Sequence, residues 1–230
     1  MNAYEILLKG HDKVAAGTMG FRFTKPPGFV FKPGQAVTLF LTDPPADANS
    51  KQRIFSLVSA PFEAELAIAT RMREGSAFKR ALGSLPPGAK LELKGPRGVM
   101  TLHEERRRAA VFIAGGIGIT PFMSMLRQAA HDRLEQRLFL ICSNRRPEDT
   151  PFLAELQALV RENGQFRLLA RMTEQEGFVD GDTIRRFAGN ATAPVYYLAG
   201  PPAMVDAMKA VLRRADVSDQ DVRSEQFYGY

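Results

Sequence analysis

The alternation of hydrophobic and polar residues changes character near residue 102. Before that point, short apolar stretches are separated by turn-forming pairs such as Pro33-Gly34, Pro44-Pro45 and Pro87-Gly88. This pattern is typical of β-strands that bury one face. It predicts strands at residues 4–8, 18–24, 36–41, 54–59, 66–72 and 91–94, and one helix at residues 76–82. Because short, evenly spaced strands favour closure, we expect a β-barrel.

After Arg108, continuous apolar stretches alternate with amphipathic ones. The pattern predicts strands at residues 110–114, 137–142, 166–172, 195–198 and 222–227, and helices at residues 121–131, 150–162, 180–187 and 201–215. Alternating strands and helices indicate an α/β domain whose parallel sheet is covered on both faces. A charged segment near residues 102–108 joins the halves, so the sequence predicts two domains, residues 1–105 and 106–230.

The composition is that of an ordinary globular protein. Of the 230 residues, 45% are hydrophobic and 24% charged, and no apolar stretch of about 20 residues could span a membrane. The first residues lack the features of a signal peptide, so we expect a cytoplasmic protein. One cysteine, Cys142, excludes an internal disulfide and any four-thiolate metal site. The three histidines have no metal-ligand spacing, and we expect no metal.

The formal net charge is +6, and the arginines include Arg145-Arg146, Arg185-Arg186 and Arg213-Arg214. Excess positive charge attracts acidic proteins, nucleic acids and anionic cofactors. No basic patch interleaved with aromatic residues accompanies it, so we do not expect nucleic acid as a partner.

The most informative motif is a glycine-rich turn after the strand at residues 110–114. It contains Gly115, Gly116, Gly118, Thr120 and Pro121. A strand, a glycine turn and a helix start together present backbone N–H groups to a phosphate. Proline suits the first helical position, where no N–H is needed. The alternative is a tight turn with a purely structural role.

Two further motifs lie in the β half. Strand alternation predicts Arg53 and Phe55 on one face of their strand and Ser56 on the other. An arginine can bind a phosphate, an aromatic ring can stack on a planar ring, and a hydroxyl can hydrogen-bond a ring nitrogen. Gly75-Ser76 opens the predicted helix and offers either an anion site or a plain cap.

In this order, the motifs resemble the ferredoxin–NADP reductase superfamily of flavoprotein reductases. The matching segments are Arg53 to Ser56, Gly75-Ser76, Gly95-Pro96-Arg97-Gly98, Gly115 to Pro121 and Ala199 to Met204. The resemblance implies a six-stranded antiparallel barrel that binds FAD and an α/β domain that binds NAD(P). Arg53 would contact the pyrophosphate, Phe55 would stack on the isoalloxazine and Ser56 would approach its N5 edge. The implied flavin site also includes Leu57, Thr70, Gly75, Ser76 and Ala77.

For the nicotinamide nucleotide, the resemblance assigns the turn from Gly115 to Pro121 to the pyrophosphate. Gly200, Pro201 and Met204 would border the nicotinamide, which passes a hydride to the flavin. Near the C-terminus, Glu225 would handle protons, and Phe227, Tyr228 or Tyr230 would cover the flavin, with Phe227 the first choice. The alternative is a frayed tail.

Two positions depart from the family pattern. The stacking residue is usually Tyr in this superfamily, but here it is Phe55, and Phe also occurs in the flavin reductase branch. Ala199 stands where Cys is common. Ring stacking needs no hydroxyl, so the first change is compatible with FAD binding.

The nucleotide preference depends on the end of the second α/β strand. Ser143, Arg145 and Arg146 suit a 2′-phosphate, and no acid follows before Glu148, so the sequence favours NADP over NAD. The alternative is a solvated loop.

The chain has no cysteines for an iron–sulfur cluster, so electrons would leave to a separate acceptor. The basic charge favours an acidic ferredoxin or flavodoxin, and we expect a monomer. Two alternatives stay open: a reductase of free flavins or small molecules, which Phe55 favours, and a non-catalytic flavin-bearing subunit of a larger complex.

Overall fold

The computed structural model describes residues 2–43 and 51–228. The predicted turn Pro44-Pro45 and the candidate Tyr230 lie outside these residues. The described chain forms two compact units. Unit 1 contains the residues up to Thr101 together with Thr120–Gln128, and unit 2 contains Leu102–Ile119 and the residues from Ala129 onwards. The domain limits 1–105 and 106–230 stay a prediction from the sequence.

Unit 1 is an antiparallel barrel, as the resemblance implied. Its strands are β1 (Ala3–Ala15), β2 (Thr18–Thr24), β3 (Ala36–Leu41), β4 (Gln52–Ser56), β5 (Glu65–Arg71) and β6 (Lys90–Arg97), and its helix α1 spans Ala77–Ser84. The strand order is β4-β3-β6-β1-β2-β5. Closure comes from the residues after β4: Leu57 bridges to Ile68, and Val58 N donates to Ala67 O at 2.8 Å.

Several predicted strand limits are wrong because pairing with neighbouring strands decides them. The largest error is in the strand predicted at residues 4–8, which runs from Ala3 to Ala15 because it pairs with β2 as far as Ala15. The strand predicted to reach residue 59 ends at Ser56, because Leu57 leaves β3 to bridge to β5. The strand predicted at residues 91–94 instead runs from Lys90 to Arg97, because Arg97 still pairs with Ala36. A core that includes Phe21, Phe23, Leu39 and Phe78 fills the barrel.

The first part of helix α2 (Thr120–His131) belongs to unit 1. Ser124 Oγ donates to Ser59 O at 2.7 Å, and Arg127 pairs with Glu63 at 3.4 Å. Gly34 fits closely here, because a Cβ at that position would lie 2.1 Å from Met100 O. Helix α2 is thereby held to the barrel by buried contacts.

Unit 2 contains a five-stranded parallel sheet, in the order β11-β10-β7-β8-β9. The strands are β7 (Ala110–Gly115), β8 (Leu138–Asn144), β9 (Phe166–Met172), β10 (Val195–Gly200) and β11 (Val222–Gln226). The helices are α3 (Leu153–Glu162), α4 (Thr173–Glu176), α5 (Gly181–Ala188) and α6 (Pro202–Arg214). All six residues of β7 are buried, which confirms a sheet covered on both faces.

Each predicted helix start differs from the observed one by one to three residues, and the shifts of α2 and α3 have local causes. A 3-10 turn at Gly116–Ile119 leads directly into α2, which therefore begins at Thr120, one residue before Pro121. Helix α3 begins at Leu153 rather than residue 150, because Phe152 has a positive φ of 60° and interrupts the helix there. The two changes alter where backbone N–H groups are left without helical partners.

Candidate functional site

The glycine motifs of unit 2 meet at one edge of the parallel sheet. Strands β7 and β10 are neighbours, and the chain runs from β7 to β8 on one side and returns to β10 on the other. Ligands of such sheets bind outside the carboxyl ends of the strands at this switch point. Gly115 and Gly200 end these two strands, so both motifs lie at that edge.

Close packing requires three of the glycines. A Cβ on Gly118 would lie 2.1 Å from Ala199 O, and one on Gly115 would lie 2.4 Å from Met204 Sδ. A Cβ on Gly200 would lie 3.0 Å from Gly115 N. Gly116 has a φ of +54°, which glycine adopts without strain. The turn after β7 therefore packs directly on the end of β10.

The same turn supplies helix-terminal amides. The 3-10 turn at Gly116–Ile119 precedes α2, so N–H groups near Gly116 and Gly118 begin the helical segment. Pro121 was predicted at the first helical position, but helical geometry is already established before it. Thr120 is buried, with 2% of its surface exposed. These amides fit an anionic group, as a phosphate cradle requires.

The C-terminal residues follow the same edge. Glu225 pairs in register with Ala199, and Phe227 N donates to Gly200 O at 2.9 Å. Phe227 directly follows β11, which ends at Gln226. Burial raises the pKa of the Glu225 carboxyl, which therefore keeps its proton to a higher pH than an exposed glutamate. Tyr228 is exposed, and its hydroxyl donates to Gln226 Oε1 at 2.6 Å.

The predicted 2′-phosphate residues follow β8. Ser143 pairs in register with Gly115. Arg145 and Arg146 both form ion pairs, Arg145 with Glu174 at 2.8 Å and Arg146 with Asp149 at 3.2 Å. The sequence argument missed Glu174 because it lies 29 residues further along the chain. The parallel pairing of β8 with β9 places the residues that follow these two strands on the same edge.

In the barrel, the predicted flavin residues surround the end of β4. The rings of Phe55 and Phe78 are 5.9 Å apart, and the Arg53 guanidinium lies 5.9 Å from the Phe78 ring. Arg53 and Phe55, which were predicted to share one face of β4, therefore both lie against the side chain of Phe78. Phe55 is 8% exposed and belongs to the core, and Ser56 is 6% exposed.

Two other predicted residues contribute mainly to the barrel itself. The Leu57 side chain is fully buried, and its N–H donates to Gln35 O at 2.9 Å. Thr70 is 4% exposed and pairs with Met19 on β2.

Helix α1 begins beside a group of cations. Ser76 caps it and accepts a hydrogen bond from Lys79 N at 3.4 Å, and Ala77 is its first residue. Burial lowers the pKa of the Lys79 ammonium, and the charges of Arg73 and Arg53 lower it further. Three cations therefore repel one another at a helix N-terminus, which a bound pyrophosphate would relieve.

Packing leaves open space beside Gly75 at this helix start. A Cβ on Gly75 would meet nothing within 4 Å, so Gly75 is not required by packing. Arg73 and Lys79 were not assigned a role from the sequence, although both flank the Gly75-Ser76 motif. Their positive charges were the available signal.

Other ionisable groups have structural roles. Burial raises the pKa of the Cys142 thiol to about 12, and the side chain is 2% exposed.

Within residues 2–43 and 51–228, no group of three or more potential metal ligands is present. Over the same residues, no helix is long and apolar enough to cross a membrane.

Comparison with known proteins agrees with this geometry. A model of the oxidoreductase NAD-binding domain family matches residues 112–210. The chain is 30% identical over 200 residues to ferredoxin–NADP reductase B of Sorangium cellulosum, and the match covers 80% of each protein. It is 30% identical over 197 residues to the reductase component of propane 2-monooxygenase from Mycolicibacterium smegmatis, covering 80% of this chain and 55% of that protein.

The fold agrees as well. The crystal structure of Amycolatopsis cytochrome P450 reductase GcoB has a TM-score of 0.82 at 21% identity, covering 98% of this chain and 70% of that one. Several curated relatives are longer, and this chain spans 52% to 61% of their length. The reductase from S. cellulosum, by contrast, is matched over 80% of its own length. The chain therefore belongs to the ferredoxin–NADP reductase-like family of flavoproteins, oxidoreductases that use NAD(P)H and FAD.

Proposed function

We propose that this chain is an FAD-containing, NAD(P)H-dependent reductase that delivers electrons to a separate redox protein with an acidic surface. The observation that carries the proposal is the cluster of Arg53, Arg73 and Lys79 at the start of α1. Such a cluster of like charges costs stability unless an anion binds it. The doubly negative pyrophosphate of a dinucleotide would offset most of that positive charge.

In this proposal, several residues of unit 1 hold the flavin. Arg53, the hydroxyl of the capping residue Ser76 and the first amide of α1, at Ala77, bind the pyrophosphate. Phe55, which is 8% exposed and lies beside Phe78, contacts the isoalloxazine. When bound, FAD supplies a hydride acceptor at N5 and releases electrons onward. Ser56 lies at the end of β4, and its hydroxyl would hydrogen-bond that edge of the ring.

The nucleotide donor would bind at the carboxyl edge of the parallel sheet in unit 2. Amides of Gly116 and Gly118 would hold its pyrophosphate, and Gly200, Pro201 and Met204 would border the nicotinamide. Glu225 pairs with Ala199 beside that border, and burial raises its pKa. A carboxyl with a raised pKa keeps its proton to a higher pH and can donate it to a bound group, and we assign Glu225 that role.

The acceptor is proposed from charge and from the relatives. The relatives include a ferredoxin–NADP reductase and a reductase component of a monooxygenase. A net charge of +6 favours encounter with an acidic protein. The alternative acceptor is a free flavin, which the substitution of Phe55 for the usual Tyr favours.

An absorbance spectrum of the purified protein tests the proposal. We expect flavin bands that bleach when NADH or NADPH is added without oxygen and that return when an acidic ferredoxin is added. Bound flavin without bleaching would favour a non-catalytic subunit, and reduction of free flavins alone would favour the flavin reductase.

Variants test the flavin site directly. Arg53→Ala should reduce the ratio of bound FAD to protein by about tenfold, because it removes a charge-assisted contact to phosphate. Arg80→Ala is the matched control, because Arg80 is an exposed arginine on α1 in the same unit. Equal FAD content in the two variants would contradict the assignment.

A further inference from the structure

The arginines after β8 are not free positive charges. The Nε and one terminal nitrogen of Arg145 donate to Glu174 Oε1, at 3.1 and 2.8 Å. Arg146 pairs with Asp149 at 3.2 Å and with Glu148 at 3.4 Å. A hydrogen bond to Asp149, then the charges of Asp149, Glu148 and Glu174, raise the pKa of Arg146. Glu174 therefore acts on both arginines.

The position of Glu174 is fixed by its own turn. Glu174 N donates to Arg145 O at 3.3 Å, which ties helix α4 to the loop after β8. Glu176 accepts a hydrogen bond from Met172 N at 2.7 Å, and Arg171 Nε donates to Gly177 O at 3.1 Å. These contacts hold the turn at the end of β9. Backbone hydrogen bonds and the ion pair with Arg145 together hold the Glu174 carboxylate beside the end of β8.

The net charge of this edge differs from the expectation based on the sequence. Three guanidinium groups are paired with four carboxylates, namely Arg145, Arg146 and Arg171 with Glu148, Asp149, Glu174 and Glu176. A 2′-phosphate, with a charge near −2, would therefore meet no excess of positive charge. A carboxylate next to the second strand is instead the group that accepts hydrogen bonds from a ribose diol.

We infer that Glu174 makes this site select NADH over NADPH. Its carboxylate accepts hydrogen bonds from the adenosine ribose hydroxyls, and it both neutralises Arg145 and repels a 2′-phosphate. The inference rests on the proposed function, since it assumes that the carboxyl edge of the sheet binds the dinucleotide. It reverses the preference for NADP that Arg145 and Arg146 indicate when the sequence is considered alone.

Titration calorimetry at low ionic strength, with 5′-AMP and 2′,5′-ADP as probes of the whole protein, tests the inference. We expect the wild type to bind 5′-AMP more tightly. Glu174→Gln keeps the shape and removes the charge, so its affinity for 2′,5′-ADP should rise about tenfold relative to 5′-AMP. The ratio of kcat/KM for NADPH over NADH should rise in parallel.

Two control variants separate this effect from a general change of charge or of folding. Glu162→Gln removes the same charge at the exposed end of α3, before β9 begins, and should leave the ratio unchanged. Glu174→Asp keeps the charge and should keep the preference for 5′-AMP. Tighter binding of 2′,5′-ADP to the wild type, or an unchanged ratio in Glu174→Gln, overturns the inference while leaving the reductase proposal intact. Binding of neither probe overturns both.

Discussion

Replacing Gly118 by alanine should destabilise unit 2 even when no nucleotide is bound. The added Cβ would lie 2.1 Å from Ala199 O, 2.4 Å from Ala199 C and 2.7 Å from Gly200 N. All three are backbone atoms of a central strand, so no flexible side chain can move aside. An ordinary contact is longer by roughly 1 Å, and the turn after β7 would have to move away from β10 by that distance.

The magnitude follows from this geometry. Overpacking of a buried site costs about 1–3 kcal/mol, and a clash between two backbone segments belongs at the upper end. A loss of about 3 kcal/mol corresponds to a fall in Tm of roughly 6–12 °C for a protein of this size. Thermal unfolding followed by circular dichroism, without added nucleotide, measures it.

Gly164→Ala is the matched control in the same unit. A Cβ at Gly164 would meet nothing within 4 Å, and its φ lies outside the range that favours glycine. Its Tm should stay near that of the wild type, or rise slightly, because alanine reduces the freedom of the unfolded chain. A Gly118→Ala variant as stable as Gly164→Ala would refute the claim that packing requires glycine at position 118.

Three further predictions concern single side chains. Ser56→Ala should slow reduction of the flavin by the nucleotide about a hundredfold in stopped-flow experiments, while FAD stays bound. The control Ser84→Ala, which removes the hydroxyl at the end of α1, should reduce its flavin at the wild-type rate. Equal rates in the two variants would contradict the assignment of Ser56 to N5. Burial lowers the pKa of His103, so its neutral form favours folding, and the free energy of unfolding should fall as the pH drops below about 6.5. In His103→Gln that part of the pH dependence should be absent. The measurement is the free energy of unfolding from urea titrations at several pH values, and the same dependence on pH in the variant and the wild type would contradict the prediction. Cys142 should resist iodoacetamide at pH 8 in the folded protein and react in urea, and rapid labelling of the native protein, detected by mass spectrometry, would contradict its burial.

The fold could be predicted well because its signals are local. The strands at Thr18–Thr24, Ala36–Leu41 and Phe166–Met172 have the predicted limits, since alternation or continuous apolar character marks each one. The errors arise where a neighbour decides the outcome. Arg97 extends β6 because it pairs with Ala36, which no pattern within the segment indicates.

The candidate site shows the same division. Motifs confined to a few consecutive residues, such as the turn from Gly115 to Pro121, could be found from the sequence. Contacts between distant segments could not, and Glu174 beside Arg145 is the clearest case. The sequence shows how many charges a loop has, but the charge that a ligand meets also depends on what the next strand brings beside it.

This distinction also decides what the glycines can establish about function. Gly118 and Gly200 are needed where the end of β7 and its turn contact β10, so their presence would be required even if no phosphate were bound. The structural and the phosphate-binding interpretations of the turn are therefore compatible, and glycine alone cannot separate them. Charge can, because a cation cluster without an anion only destabilises the fold. Arg53 lies over the Phe78 ring and Lys79 Nζ donates to Arg71 O at 2.9 Å, yet the charges of Arg73 and Arg53 still lower the pKa of Lys79. The flavin site is therefore the better place to test the activity.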